Sequence, residues 1–569
     1  MFEPSSFKSR CYISPAYTHS GMQRCNPLES SMVKLKIASR ILRRWSSSPS
    51  SPIYRLPPEL LIEIFLHATL EPKRRDVWRV RAKNPLVISH VCGVWRDIAI
   101  DCSPLWSCIA IQQSSAVITP ATRRARHLHD SFNDTRVNFP LTKLYLQRSR
   151  KLPIDVEIIV RQPPSPQDWW TCSYAHVLSD LLLPHVGRFR SLMMNHQSWV
   201  CHRILWERIL TVSMPILEDL EFYSFSPADT EDVSTDRLLA SPKAELCPSL
   251  KELTISIPCQ WQEFGFSNLT SLSFAMLPLH HCPTIQELVE ILRLSKDTLD
   301  KVEIIGAFAA RNSESPVSPS DRLLLPNVRM LRLGFHNARD VRPFLYHVAF
   351  PALKALVIIN MHGENAFQGR THEVHTHSIN RLFDAMIRLL PLSQLTFLIL
   401  RHVEFREERF PAWSSVQRGY TGEKHLPVSW KFMASLTSLR HLFLISPDNA
   451  TLTSMNYPIP LISQSETEDS LSRLPLVLPH LSVLRINSLS PKSYHQVLDW
   501  IVQRHSVLRA ALGEYYRDGP FLRTLRLCLP EDAQVTMDAL GYPGLAYEET
   551  ISYFPDIHRM KYPVMHDNI

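Results

Sequence analysis

The pattern L-x-x-L-x-L, with other apolar residues in place of some leucines, recurs twelve times along the sequence. The last two apolar positions of each copy are two residues apart, so they lie on the same side of a short strand. One such strand cannot bury an apolar face alone, whereas many stacked copies form a continuous core. The twelve copies are Leu141, Leu144, Leu146; Phe189, Leu192, Met194; Leu217, Leu220, Phe222; Leu250, Leu253, Ile255; Leu269, Leu272, Phe274; Leu299, Val302, Ile304; Val328, Leu331, Leu333; Leu353, Leu356, Ile358; Leu395, Leu398, Leu400; Leu439, Leu442, Leu444; Leu481, Leu484, Ile486; and Leu522, Leu525, Leu527.

Proline precedes half of the copies at a constant offset. In six of the twelve, a proline lies two residues before the first apolar position. Proline ends a preceding helix and favours an extended backbone at the start of a strand, so the shared offset supports this register. These prolines are Pro215, Pro248, Pro326, Pro351, Pro479 and Pro520.

Amphipathic helical patterns lie between the predicted strands. Residues 284–295 place apolar side chains at positions i, i+3, i+4 and i+7, and residues 378–390 repeat this spacing. A third helix is predicted over residues 494–508. Parallel strands connected by helices form a right-handed array. We therefore predict an α/β solenoid for residues 103–545.

The predicted array resembles leucine-rich repeats, but its spacing is longer and less regular. First positions are 33 residues apart from Leu217 to Leu250 and 42 apart from Leu353 to Leu395. Members of the family repeat every ~20–29 residues. The asparagine or cysteine that usually follows the strand is also missing. The resemblance therefore implies an irregular solenoid with long helices and inserted loops.

A short apolar segment, YRLPPELLIEIFLHAT at residues 54–69, precedes the repeats. Pro58 suits the first turn of a helix, where its missing N–H is not needed. Leu61, Ile64 and Phe65 follow at helical spacing. A helix this short needs packing against other residues to be stable.

A second helix is predicted over residues 86–99, LVISHVCGVWRDIA, after a basic loop at residues 71–85. Two short helices form a very small core. Such a unit commonly leaves apolar side chains uncovered, and in a protein surrounded by water an uncovered apolar patch marks a docking site. We therefore predict a small all-α unit at residues 53–102 that contacts a partner.

Several stretches of this unit resemble the F-box motif, and two following stretches resemble F-box proteins of the type expanded in fungi. The motif stretches are 56–61, 64–65, 91–92 and 95–96, and the following ones are SPLWSCIAI at 103–111 and LTKLYLQRSRKLPIDVEI at 141–158. The resemblance implies binding to a Skp-type adaptor and, through it, to a cullin. The adaptor-binding residues that it implies are Leu56, Pro57, Leu60, Ile64, Phe65, Val91 and Trp95.

The resemblance implies a substrate-recognition subunit of an SCF-type cullin–RING ubiquitin ligase. Such a subunit carries out no bond chemistry itself and instead raises the local concentration of a target protein near the ligase. The alternative is a repeat scaffold for protein–protein interaction without ligase assembly. In either case we expect target-facing positions to alternate with the buried leucines, at Glu221, Thr254, Ser273, Glu303, Arg332, Arg485 and Arg526.

Glycine is scarce, with 14 among 569 residues, and none of the common phosphate-binding or nucleophile motifs occurs. Backbone loops that cradle phosphates need glycine, so we expect no nucleotide cofactor and name no catalytic residue. The cluster HEVHTH offers His372, His375 and His377 in an apparent loop. No fourth ligand is evident and the spacing does not match helical zinc motifs, so we predict no metal site.

The net charge of +8 is modest for this length and does not point to nucleic acid. The 11 cysteines are scattered without a C-x-x-C, which favours reduced thiols inside the cell, in the cytoplasm or nucleus. No run of ~18 apolar residues suggests a membrane span. The predicted domains are a basic tail and linker at 1–52, the helical unit at 53–102, the array at 103–545 and a C-terminal tail at 546–569.

Overall fold

The computed structural model divides the described chain into two compact units, one up to Leu250 and the other from Lys251 onwards. The predicted boundary between residues 102 and 103 lies inside the first unit. Both predicted tails, 1–52 and 546–569, lie outside the described residues. The described residues are 53, 56–70, 76–112, 117–118, 137–160, 169–196, 199–224, 243–278, 281–308, 321–361, 372–405, 427–456, 477–487, 497, 500, 504 and 524–527.

The described part of the first unit has three helices followed by alternating strands and helices. Strands β1, β4, β5 and β6 pair in this order, all parallel, and β2 pairs with β3 antiparallel. The elements are α1 (Pro58–Leu70), α2 (Asp76–Val91), α3 (Gly93–Asp101), β1 (Cys108–Gln112), β2 (Val117–Ile118), β3 (Val137–Asn138), α4 (Pro140–Arg148), β4 (Ile154–Val160), α5 (Trp169–Leu182), β5 (Phe189–His196), α6 (Trp199–Ile209) and β6 (Asp219–Ser224).

The second unit contains a parallel sheet of nine described strands, in the order β7-β8-β9-β11-β13-β14-β15-β16-β17, and a short parallel pair, β10 with β12. Its elements are β7 (Glu252–Ser256), β8 (Ser271–Ala275), α7 (Ile285–Leu294), β9 (Lys301–Ile305), β10 (Leu323–Leu324), β11 (Met330–Phe335), α8 (Ala338–His347), β12 (Val348–Ala349), β13 (Ala355–Asn360), α9 (His372–Leu389), β14 (Phe397–Arg401), α10 (Val428–Ala434), β15 (His441–Ile445), α11 (Asn449–Asn456), β16 (Val483–Asn487) and β17 (Thr524–Leu527).

The predicted parallel α/β architecture is confirmed, and eleven of the twelve sequence copies place their last two apolar positions on a strand. Within the second unit the middle apolar positions of successive copies are direct neighbours across the sheet. They are 1% exposed or less and form the centre of its core. These residues are Leu253, Leu272, Val302, Leu331, Leu356, Leu398, Leu442 and Leu484.

The first copy is an exception, because residues 140–148 form helix α4 instead of a strand. Pro140 occupies the first helical turn, where proline is favoured. Thr142, Tyr145 and Leu146 are buried at i, i+3 and i+4, whereas Leu141 is 43% exposed. The helical period of these buried positions overrides the strand pattern of the leucines.

The helices between the strands follow the predicted amphipathic patterns. Helix α7 begins at a capping box, in which Thr284 Oγ1 accepts from Glu287 N at 3.2 Å and a Glu287 carboxylate oxygen accepts from Thr284 N at 2.8 Å. Helix α9 begins at His372, six residues before the predicted start. Of the predicted helix at 494–508, only Val497, Trp500 and Arg504 are described, and all three are helical and buried.

Four of the described strands of the second unit are followed directly by a residue with a left-handed backbone. The φ angles lie between 51° and 56°, and each of these residues donates its N–H to a carbonyl at the end of the neighbouring strand. The turn thus redirects the chain while the backbone donor stays satisfied. The donors and acceptors are Met276 to Ile305, Gly306 to Gly334, His402 to Ile445 and Ser446 to Asn487. None of the described helices is both long enough and apolar enough to cross a bilayer.

Candidate protein-docking site

The helical segment, which comprises α1, α2 and α3, differs from the prediction in its boundaries. Residues 76–85, expected in a loop, belong to α2, and the single helix expected over 86–99 is broken at Cys92. Cys92 adopts an extended backbone, and its Sγ accepts from Trp95 N at 3.4 Å. This N-cap ends one helix and starts the next.

Helices α1 and α2 pack against each other. Only residues 71–75 connect them, and Asn84 Nδ2 donates a 2.7 Å hydrogen bond to Ala68 O.

Four large apolar side chains of these two helices are exposed. Leu60 and Ile64 on α1 are 50% and 48% exposed, and Val87 and Val91 on α2 are 62% and 56% exposed. The members of each pair are four residues apart and therefore lie on one face of their helix. We refer to these four side chains as the apolar patch.

The opposite side of α1 is interior. Leu61, Ile62 and Phe65 are at most 2% exposed, and the Phe65 ring lies 4.8 Å from that of Trp95. Phe65, which was expected to contact an adaptor, is instead buried and packs against Trp95 of its own helical segment.

The other predicted docking residues fall into two groups. Leu60, Ile64, Val91 and Pro57 are exposed, whereas Leu56 and Trp95 are half-buried. Val87, the most exposed member of the apolar patch, was not among the predicted docking residues. Its position four residues before Val91 is the sequence signal that identifies it.

Two buried aromatic residues attach the helical segment to the strands that follow it. Trp106, which is fully buried, donates from Nε1 to Ala99 O at 2.7 Å, and Tyr145 on α4 donates from its hydroxyl to Ala82 O. The two rings lie 4.9 Å apart and edge to face. These contacts hold α2 and α3 firmly against β1 and α4, so the apolar patch has a fixed orientation within the first unit.

The environment of Tyr145 keeps its hydroxyl a donor. Burial, together with Cys108, raises the pKa of Tyr145 well above its ordinary value, and Arg148 counteracts this only in part. The Arg148 guanidinium also lies 4.3 Å from the centre of the Trp106 ring. A cation over an indole ring is a favourable contact that reinforces the attachment.

Six of the seven positions predicted to face a target belong to a strand-face row in the second unit, defined by residues aligned across neighbouring strands. The row comprises Thr254, Ser273, Glu303, Arg332, Val357, Ile399, Phe443, Arg485 and Arg526. Its register confirms that these positions alternate with the core leucines.

The burial of this row contradicts the prediction that it is open to solvent. Ser273, Glu303, Arg332 and Arg485 are between 3% and 7% exposed. Thr254 is half-buried, and the side chain of Arg526 lies outside the described residues. In the first unit, the corresponding Glu221 is 1% exposed and is also buried.

The one carboxylate of the row, Glu303, is compensated by two neighbouring cations. Arg332 Nη1 lies 3.0 Å and Lys301 Nζ 2.9 Å from Glu303 Oε1, and Ser273 Oγ donates to Glu303 Oε2 at 3.2 Å. Burial alone would raise the pKa of Glu303, but the two cations and the hydrogen bonds from Lys301 and Ser273 outweigh it and lower the pKa to about 2. Glu303 is therefore ionised and internally paired, which makes this part of the row structural.

The histidine cluster lies in helix α9 instead of the expected loop. His372 and His375 are three residues apart on this helix, and the side chains of residues 372–377 are not described. Among the side chains that are described, no group of three or more His, Cys, Asp or Glu residues is arranged to hold a metal ion.

No protein-family model matches the chain, and no curated protein is found to be similar to it. The functional argument therefore depends on the residues and geometry of the chain itself. The feature that most clearly calls for a partner is the apolar patch.

Proposed function

We propose that this chain is a substrate-recognition subunit of an SCF-type cullin–RING ubiquitin ligase. The helical segment binds a Skp-type adaptor, and the strands and helices form a leucine-rich-repeat-like solenoid that binds a target protein. The observation that carries the proposal is the apolar patch, which lies on two packed helices within the stretch that resembles an F-box.

Exposure of this kind favours docking because water is a poor solvent for aliphatic side chains. Fully burying a leucine, isoleucine or valine contributes roughly 1.5–3 kcal/mol. The four side chains of the apolar patch are each about half exposed, so a partner that covers them gains roughly 1 kcal/mol from each. Losing contacts of this size through substitutions in the apolar patch should lower the affinity for the partner by a measurable amount.

The attachment through Trp106 and Tyr145 supports the same function. An adaptor bound to the apolar patch is held at a fixed orientation to β1 and α4. A ligase subunit without chemistry of its own works by holding the target near the catalytic subunits, and a rigid connection raises the effective concentration more than a loose one. Because ubiquitin ligases of this type act inside the cell, the proposal places the chain in the cytoplasm or nucleus.

The test is co-expression with a Skp-type adaptor, followed by size-exclusion chromatography with light scattering. We expect a 1:1 complex for the wild-type chain. The variant Leu60→Asp with Ile64→Asp places two charges in the apolar patch and is expected to lower the affinity at least a hundredfold.

The matched control is Leu294→Asp with Leu324→Asp, which introduces the same charges at two leucines that are 45% and 54% exposed elsewhere. This variant is expected to bind the adaptor normally. A wild-type chain that ignores the adaptor would refute the ligase proposal and leave the repeat scaffold as the function. Equal loss in both double variants would show that the apolar patch is not the contact.

A further inference from the structure

A second row of residues lies at the edge of the sheet where the strands of the second unit begin. It consists of the residue that follows the first apolar position of each copy. Backbone hydrogen bonds connect successive members, from Thr396 N to Lys354 O at 2.9 Å, from Arg440 N to Thr396 O at 3.0 Å and from Ser482 N to Arg440 O at 2.9 Å. We call Lys354, Thr396, Arg440 and Ser482 the edge row.

The cations of the edge row are exposed and unpaired within the described structure. Lys354 and Arg440 are both exposed, and neither forms an ion pair with a described residue. The preceding copy differs, because Arg329 lies 3.5 Å from Asp300 and has its charge compensated. Along the starts of the strands, Lys354 is therefore the first cation after Arg329 that has no described carboxylate partner.

The residues next to each member of the edge row in the sequence are not acidic. The five-residue stretches PALKA, SQLTF, TSLRH and PHLSV, which surround its four members, contain no aspartate or glutamate. The hydroxyls of Thr396 and Ser482 already donate to Lys354 O at 3.3 Å and to Arg440 O at 3.0 Å, so the two cations are the groups that attract a carboxylate. Phe397 and His441, the first residues of β14 and β15, directly follow Thr396 and Arg440 in the sequence. Both are half-buried, and their rings lie 6.2 Å apart, so two aromatic side chains lie next to the edge row.

The spacing of the two cations matches an extended peptide. Neighbouring strands lie ~4.8 Å apart. The backbones at Lys354 and Arg440, which are two strands apart, are therefore separated by ~10 Å. A peptide in the extended polyproline II conformation rises ~3.1 Å per residue with three residues per turn, so carboxylates three residues apart lie on one side of it and ~9 Å apart.

We propose that the edge row binds an extended acidic segment of the target protein, with carboxylates at every third position, lying across the starts of β13 to β16. This inference rests on the proposed function, since it names the chemical class of the target. It also replaces the strand-face row as the recognition surface, because Glu303 and Arg332 in that row are buried and paired with each other.

Fluorescence anisotropy with the full chain tests this proposal. The probe is a labelled peptide with glutamate at every third position and serine or threonine between. The comparison peptides carry glutamine or phosphoserine at the same positions, or the same glutamates in adjacent positions. We expect tightest binding of the spaced glutamate peptide, with affinity that falls as salt rises because exposed charges are screened.

The variant Lys354→Glu with Arg440→Glu is expected to weaken binding of this peptide at least tenfold. The control, Lys243→Glu with Lys296→Glu, changes the net charge equally at two exposed lysines outside the edge row and is expected to stay within twofold of wild type. Circular dichroism verifies that both variants are folded.

Equal binding of the glutamate and glutamine peptides, or equal losses in the two double variants, would overturn the proposal. Tighter binding of the phosphoserine peptide would overturn the assignment to carboxylates. The adaptor assay separates this inference from the proposed function, because Lys354→Glu with Arg440→Glu should retain the adaptor and Leu60→Asp with Ile64→Asp should retain the peptide.

Discussion

The helical segment and the strand-face row reverse the usual relation between residue type and exposure. In α1 and α2, leucine, isoleucine and valine side chains are about half exposed, whereas on β9 and β11 the charged Glu303 and Arg332 are almost fully buried. Three short helices have too few neighbours to cover every apolar face. A strand inside a parallel sheet, in contrast, has a neighbour on both sides and tends to be covered on both faces. Exposure therefore follows the number of neighbours more closely than side-chain polarity.

The largest effect is expected from breaking the buried ion pair. Arg332→Met removes the cation 3.0 Å from Glu303 and leaves a buried carboxylate with less compensation. Removing one partner of a buried pair typically costs about 3–5 kcal/mol of unfolding free energy. Chemical denaturation of the second unit's transition measures this loss.

The exposed pair between Arg329 and Asp300 is the matched control, with side chains 74% and 50% exposed. Arg329→Met is expected to change the unfolding free energy by less than about 1 kcal/mol. Similar losses in both variants would contradict the distinction between buried and exposed charges.

Stability is expected to depend on pH through Glu303. Its pKa is lowered from an ordinary value of 4.5 to about 2 in the folded protein. A lowered carboxyl pKa stabilises the folded state fully above pH 4.5, and this contribution is lost as the pH falls towards 2. The loss is roughly 3 kcal/mol.

Urea unfolding between pH 6 and pH 2.5 measures this dependence, with Glu303→Gln as the comparison. The variant is expected to be less stable at pH 6 but to lose less stability on acidification. An identical pH slope in both proteins would show that Glu303 does not titrate in this way.

A smaller effect is expected from adding one methyl group at Gly334 on β11. A Cβ atom there would lie 2.5 Å from Ile305 Cγ2 and 3.1 Å from Ile305 Cα, so the neighbouring strand would have to shift. Gly334→Ala is expected to cost about 2 kcal/mol.

Gly93 in the helical segment is the corresponding control, since a Cβ atom there would meet nothing within 4 Å. Gly93→Ala is expected to leave the unfolding free energy unchanged or raise it by up to about 1 kcal/mol, because alanine favours helix. Thermal unfolding of both variants would show the difference, and a destabilised Gly93→Ala would contradict the open packing of α3.

The smallest effect is expected in the apolar patch itself. Val87→Ser with Val91→Ser exchanges two exposed valines for polar side chains, which should change the unfolding free energy by about 0.5 kcal/mol or less. The adaptor affinity of the same variant should fall measurably. A large loss of stability would show that the apolar patch supports the fold of the helical segment.

Local patterns were sufficient to predict most of the strands and three of the helices. The prediction from local patterns was wrong where a strand period and a helical period overlapped, and where a single residue ended a helix. In α4, the burial of Thr142, Tyr145 and Leu146 follows a helical period that the leucine pattern conceals. At Cys92, a thiol cap divides a continuous apolar pattern into two helices.

The exposure of the predicted docking residues followed from the sequence for some residues and not for others. Leu60, Ile64 and Val91 lie on exposed helix faces, as the motif indicated, but the adjacent Phe65 belongs to the interior. Its burial depends on Trp95, which comes from another helix. No pattern within α1 distinguishes these two environments.

The sequence by itself determined where eleven of the strands lie and that their leucine positions enter the core, because a period of two and a leading proline are local properties, and the helical patterns between the strands indicated that they run parallel. Only the tertiary structure decided which of the alternating positions lose contact with water. Glu303 is enclosed by Lys301 on its own strand and by Ser273 and Arg332 on neighbouring strands. Burial depends on such neighbours, and those on other strands are brought together only when the sheet forms.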